Sequence, residues 1–592
     1  MMKKIKTMKK FSYILVAILV GFVSSCGDDF LTKEPLGVVS VSQLATEKGL
    51  DALLIGAYAQ IDGLGHSNTG TWPGGASNYI WGSITSDNAY KGTDATDQVP
   101  QTEIERYVAT PLTSYMDQEW RGLYDGVSRC NDVIKVAATA LEAGTISQEQ
   151  HTQYVAEARF LRGYFHFDAK QEFDNIPYID ETVEDYMTVG NVTESGDYFN
   201  AWPNIEADFQ HAIDNLPTTR SQPGRADKWA AKAYLAKCHM WQMDLSAAKP
   251  LLDDIINNGP FELVDCYWDN FKIATNNNKE SIWEYQASVN DGTSGGNGNY
   301  ADVLNFPYGG GPGTCCGFHQ PSQNLVNAHQ VDANGLPLLD TFNDTDVVSD
   351  QGLDSSDPFT EHAGPLDPRL DHSVGRRGIP YLDWGEHPGK NWIRDQDYGG
   401  PYAPKKNIYY QSEEGSLTSA SGWTSGATAN NVRVIRLAHV LLWRAEVAVE
   451  ENDLGYAMDL VNQLRLRARD GCWVLEGDAP DDGSHVGPGG ELPAANYSVE
   501  PYTSFPNVDY ARKAVQFEHR LEFAMEGFRF FNLVRWGISK ETIDAYLAKE
   551  KNLREYLNGV TFDESKNVRQ PIPQIQIDVV GPDVLRQNPG FN

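Results

Sequence analysis

Residues 512–537, RKAVQFEHRLEFAMEGFRFFNLVRWG, decide how the chain is read. Ala514, Phe517, Leu521, Ala524, Phe528 and Phe531 recur at spacings of three and four. That puts them on one face of a helix, the face to be buried. Arg512, Glu518, Arg520, Glu522, Glu526 and Arg529 fill much of the remainder. Gly527 interrupts the pattern at a cost of about 1 kcal/mol relative to Ala, which a kink or a close backbone approach would explain. The stretch is expected to be a core helix with structural ion pairs rather than an active-site helix.

Working outward, 592 residues exceed one ordinary domain, and the net charge is −33. Nucleic-acid binding needs a basic surface to meet phosphates, so that class is excluded. Charge-driven adhesion to anionic lipid is excluded for the same reason. With 14 Trp, 28 Tyr and 23 Phe, there are enough aromatics for a core and for exposed stacking platforms.

Seven cysteines are present, and no C-x-x-C spacing signals zinc. Cys315 and Cys316 are adjacent; neighbouring thiols rarely pair with each other, so separate partners or free thiols are expected. No catalytic residues are assigned: no H-E-x-x-H metal motif is present, and no Ser/His nucleophile elbow is visible, the Gly-rich run 291–300 having neither a strand before it nor a helix after it in the sequence pattern. The acidic loop Asp340–Asp357 has oxygen ligands that suit Ca²⁺, but it reads first as solvated; no metal and no cofactor are expected.

The N-terminus carries an address. Lys3, Lys4, Lys6, Lys9 and Lys10 precede an apolar run from Phe11 to Val23, signal-peptide length and short for a membrane span. Residues 1–25 are read as a lipoprotein signal peptide. Val23-Ser24-Ser25-Cys26 is similar to a bacterial lipobox, with Cys26 as the lipidation site and residues 26–41 as acylated Cys and tether.

Residues 42–275 read as a helical scaffold, with helices predicted over Ser42–Ile61, Asp117–Ala140, Gln148–Phe173, Trp202–Leu216, from Gly224 onward and Leu245–Asn257. They come in consecutive pairs, with small and aromatic residues for contacts, as in tetratricopeptide-like stacking, though without a fixed period. Segment 63–111 dissolves into Gly, Asn, Asp and Thr and is predicted irregular. From 276 to 430 periodicity is mostly lost again, which marks a loop-rich inserted region. Residues 431–592 return to helices, Val432–Glu450 and Asp453–Arg469 first.

Several motifs agree on a family. Residues 518–537, the run 156–165 followed by Asn175-Ile176-Pro177, Asp367-Pro368-Arg369-Leu370-Asp371, residues 374–381, 400–407, 436–442, 462–469 and the closing Gln587-Asn588-Pro589-Gly590-Phe591 occur in order. Together they strongly resemble the SusD/RagB family of nutrient-binding outer-membrane lipoproteins. The resemblance implies a mainly α fold, a tetratricopeptide-like scaffold of helix pairs with a large irregular insertion. It implies capture of oligosaccharide or polysaccharide and delivery to a SusC-like TonB-dependent transporter. It places the protein at the outer membrane, lipid-anchored and facing the cell exterior; Gly27-Asp28-Asp29 is similar to the surface-export signal of such lipoproteins. The same assembly with a peptide cargo and a secreted glycoside hydrolase are the alternatives.

A sugar presents apolar C–H faces and a hydroxyl rim, so its site needs flat aromatic rings and short polar side chains on loops. On that ground Trp72, Trp81, Asp87, Asn88, Tyr300, Tyr308, Trp384 and Trp392 are the expected ligand-binding residues, with Trp423 in the same loops.

Overall fold

The computed structural model describes residues 41–63, 72–293, 296–419, 424 and 426–591. Cys26, the signal peptide, the tether and Trp423 lie outside the described residues. Among the described residues no helix is long and apolar enough to cross a membrane.

The scaffold is a stack of antiparallel helices. We label them α1 (Glu47–Ala59), α2 (Ser114–Glu142), α3 (Gln148–Phe173), α4 (Trp202–Asn215), α5 (Lys228–Trp241), α6 (Leu245–Asn258), α7 (Leu437–Glu450), α8 (Leu454–Asp470) and α9 (Val508–Glu522). Each of α2 to α8 packs on the next, and α9 closes against α7 and α8. The α6–α7 contact crosses the insertion, so the stack resumes where it was interrupted.

Local chemistry sets the ends. Ser147 and Gln150 form a reciprocal capping box at the start of α3, satisfying two N–H groups that would otherwise be orphaned. Asp227, Asp244, Asp453 and Asn507 cap α5, α6, α8 and α9 the same way from one side. Buried Ala230, Ala231, Ala233 and Ala236 let α5 sit close to its neighbours. Arg162 Nη2 meets Asp208 Oδ1 at 2.7 Å, fixing α3 to α4.

Strand β1 (Ala89–Gly92) pairs antiparallel with β3 (Phe318–Pro321), tying the segment after α1 into the insertion. Strand β2 (Ser281–Tyr285) pairs antiparallel with β4 (Val432–Arg436). The inserted chain therefore leaves and returns at one place. It folds around Phe306, Tyr381, Trp392 and Tyr409, which share a core with Tyr267 and Trp268 from just before the insertion.

Four expectations are corrected. Residues 432–436 are strand, not the first turn of a helix, because Val432, Val434 and Ile435 are β-branched and pair with β2. Segment 63–111 is not all irregular: it holds a π-helix at Tyr79–Ile84, strand β1 and a helix at Val99–Glu105.

The organising stretch is two helices. Helix α9 stops at Glu522, Met525 and Gly527 take positive φ, and α10 (Arg529–Arg535) follows. Gly527 has φ +78° and a Cβ there would sit 2.0 Å from the Ser77 carbonyl oxygen. Reciprocally, a Cβ on Gly82 would sit 1.7 Å from the Gly527 carbonyl oxygen. Only glycines allow these two backbones to meet.

Finally, Cys315 and Cys316 pair with each other, across a cis peptide bond. A second disulfide joins Cys266 to Cys472, while Cys130 and Cys238 are buried free thiols.

Candidate functional site

The charged residues of the sequence motifs converge in the interior. Arg369, Arg436, Arg465, Arg467 and Lys406 face Asp367, Glu280, Glu518, Glu522 and Glu526, five cations against five carboxylates, all buried or nearly so. Arg436 reaches Glu280 at 2.7 Å, Arg467 reaches Glu280 at 2.9 Å and also pairs with Glu522, and Lys406 reaches Glu526 at 2.6 Å. Burial alone would push the Glu522 carboxyl up, but Arg467, Arg436 and Arg369 outweigh it and hold it well below the usual carboxylate range. Mutually satisfied, buried ion pairs make this a structural network.

Asp87 and Asn88 belong to the same interior. Asp87 is buried and meets Arg529 Nε at 2.8 Å and Arg520 Nη2 at 3.1 Å. Burial works against its charge, but Arg520 and Arg529 overcome that and lower its pKa. Asn88 Oδ1 accepts from Arg520 Nε at 2.9 Å. Trp81 is 1% exposed and donates through Nε1 to the Pro73 carbonyl. All three were expected at the ligand; instead Asp87 and Asn88 clamp the 72–92 segment onto α9 and α10, and Trp81 is sealed within that segment. Trp392 is buried in the core of the insertion. Trp384 is half-buried beside it and donates to the Tyr409 carbonyl at 3.0 Å.

Of the remaining candidates, Trp72 and Tyr308 reach the surface and Tyr300 is buried against Trp72. Trp72 and Tyr300 stack with ring centroids 5.6 Å apart and planes 18° from parallel. Trp72 is half-buried, Tyr300 is 4% exposed. Trp72 also packs on the cluster of Leu304, Cys316 and Phe318, as does half-buried Cys315. Beyond Gly317 stands Tyr308, 38% exposed, with the Arg394 guanidinium 5.1 Å over its ring. Arg394 is held by Asp97 at 2.6 Å and Asp94 at 2.8 Å. Exposed Thr314 and Asn391 add short polar groups. The result is a face of apolar planes with a charged, hydroxyl- and amide-bearing rim.

Arg394 with its partners Asp94 and Asp97, the rim residues Thr314 and Asn391, and the cysteine pair are not among the expected site residues. The glycines around that pair, Gly309, Gly310, Gly311, Gly313 and Gly317, were the available signal. Among the described residues no group of three or more His, Cys, Asp or Glu is arranged to hold a metal ion. In the acidic loop, Asp340 pairs with Lys513 and Asp346 with Lys549.

Comparison with known proteins places these features. Residues 279–591, more than half of the chain, match the model described as the SusD family. Residues 29–240 match one described as starch-binding, associating with outer membrane. A SusD-like protein of Bacteroides ovatus is 26% identical over 289 residues, 47% of this chain and 50% of that one, so the match spans half of that relative. SusD-like protein P25 of Formosa agariphila is 22% identical over 96% of this chain and 97% of its own. Among solved structures, surface glycan-binding protein A of Bacteroides thetaiotaomicron, in complex with laminarihexaose, superposes with TM-score 0.65 at 20% identity, over 92% of this chain and 99% of that one.

Proposed function

This chain belongs to the SusD family, and from that premise we propose that it is a cell-surface glycan-binding lipoprotein. It captures oligosaccharide and delivers it to a SusC-like TonB-dependent transporter in the outer membrane, with no chemistry of its own. The observation that carries the reading is half-buried Trp72, backed by the buried Tyr300 on which it stacks, together with exposed Tyr308 under Arg394. Aromatic faces take the C–H side of a sugar ring, and the Arg394, Asp94, Asp97, Thr314 and Asn391 rim meets its hydroxyls. The structural relative solved with laminarihexaose supports glycan as the cargo class.

Anchoring rests on Cys26 and the lipobox-like residues before it, and the transporter partnership rests on family membership. Both are tested in cells. The protein should fractionate with the outer membrane, be cleaved by protease added to intact cells, and bring a TonB-dependent transporter with it on mild detergent extraction. Cys26→Ala should leave the membrane fraction. An outer-membrane pull-down without any transporter would overturn the delivery role.

A further inference from the structure

The Cys315–Cys316 disulfide is placed where ligand would arrive. It closes a small ring between adjacent residues, with Cα atoms 3.0 Å apart. Cys316 is buried, Cys315 half-buried, and Thr314 before them is exposed. Cys315 and Trp72, both half-buried, pack on the same small apolar cluster. On the far side, the position a Cβ on Gly317 would take lies 3.6 Å from Tyr308 Cβ and 3.8 Å from Arg394 Cβ. The pair thus sits between the Trp72–Tyr300 stack and Tyr308.

Backbone bonds hold it there: Cys316 N donates to the Leu304 carbonyl at 3.1 Å, and Gly317 N to the Phe306 carbonyl at 2.8 Å. A bridge between neighbours closes almost no chain loop, so it contributes little to the stability of the fold as a whole. The Cys266–Cys472 bridge, with a sequence separation of 206, is the one in a position to do that.

We infer that the Cys315–Cys316 disulfide is a ligand-contacting platform, a polarisable apolar patch on which a pyranose ring of the bound glycan lies between Trp72 and Tyr308. Divalent sulfur packs well against C–H and aromatic surfaces, and a bonded pair offers two sulfur atoms fixed in one place. The inference rests on the glycan-binding reading above and adds the residues that line the middle of the site.

Ligand protection separates contact from mere structural support. The protein is first titrated calorimetrically with laminarihexaose, maltohexaose, cellohexaose, xylohexaose and mannohexaose. It is then treated with a water-soluble phosphine, with and without the hexasaccharide that gives heat, and the new thiols are alkylated and located by mass spectrometry. The bound hexasaccharide should slow reduction of Cys315–Cys316 several-fold and leave Cys266–Cys472 unchanged. The C315A/C316A variant should keep the melting temperature of the parent yet bind that hexasaccharide roughly tenfold more weakly, the size of one good stacking contact. Unchanged reduction with saturating glycan, together with unchanged affinity in the variant, would overturn this inference and leave the glycan reading standing. Silence of the unmodified protein across the panel would overturn both.

Discussion

At the scale of single residues, burial separates two kinds of aromatic that look alike in sequence. Trp72 and Trp81 are nine positions apart in one Gly- and Asn-rich stretch. Trp72 keeps an open edge and stacks on Tyr300, whereas Trp81 is sealed with its N–H satisfied by Pro73. Trp72→Ala should leave the fold intact and weaken glycan binding about tenfold or more. Trp81→Ala should cost about 3–5 kcal/mol of stability, as large-to-small core changes do. Paired melting curves and binding isotherms check this; equal melting losses in both would contradict the division. Nothing local told the two apart, because loop composition does not reveal that Gly82 and Gly527 bring their backbones together and enclose the Trp81 side.

At the scale of elements, most of the scaffold was legible. Helix α3 was read to the residue, since Ser147 and Gln150 announce its start and Asn175-Ile176-Pro177 its end. The break after Glu522 was not, because Phe528 and Phe531 keep the helical spacing across it; only Gly527 hinted at the turn. Strand β4 was absorbed into the helix behind it for a similar reason, with Val434 in register with Leu437 and Leu441. The acidic face of α9 does carry structural ion pairs, but the partners come from β4, α8 and Arg369 of the insertion, distances in sequence that periodicity does not span. Glu522 pairs with Arg369, Arg436 and Arg467. Glu522→Gln should strand three buried cations with one counter-charge fewer and destabilise by about 3–5 kcal/mol. Denaturant unfolding measures it, and a loss under about 1 kcal/mol would show that the network is dispensable.

At the scale of the whole molecule, buried carboxyls whose desolvation outweighs any nearby cation shape the response to pH. Burial, helped by Asp302, pushes Asp62 up to about 8. Burial pushes Glu105 and Glu550 up to about 7. A carboxyl raised on folding favours the folded state fully below its unfolded pKa, about 4, and that advantage is lost as pH rises through 7 to 8. Asp367 and Glu446 run the other way. Burial opposes their charge, but Arg369 and Arg535 outweigh it and hold each at about 2. Their contribution is present above about pH 4 and is lost as pH falls through 2. Burial holds His166, His319, His329, His372 and His387 at about 3 to 4, so they add stability as pH rises to about 6.5; above that range, between about pH 7 and 8, the melting temperature should fall, and Glu550→Gln should flatten that decline. A melting temperature that rises over the same interval would contradict the assignment.

The central claim is that an aromatic surface on a helical scaffold binds glycan without cleaving it. Its most direct test is calorimetric titration of the protein with plant, host and microbial oligosaccharides, with reducing ends assayed in the same samples. Binding without cleavage should give heat with one glycan class, loss of that heat in Trp72→Ala, and no release of reducing ends. Silence across the panel, or sugar released on binding, would contradict it.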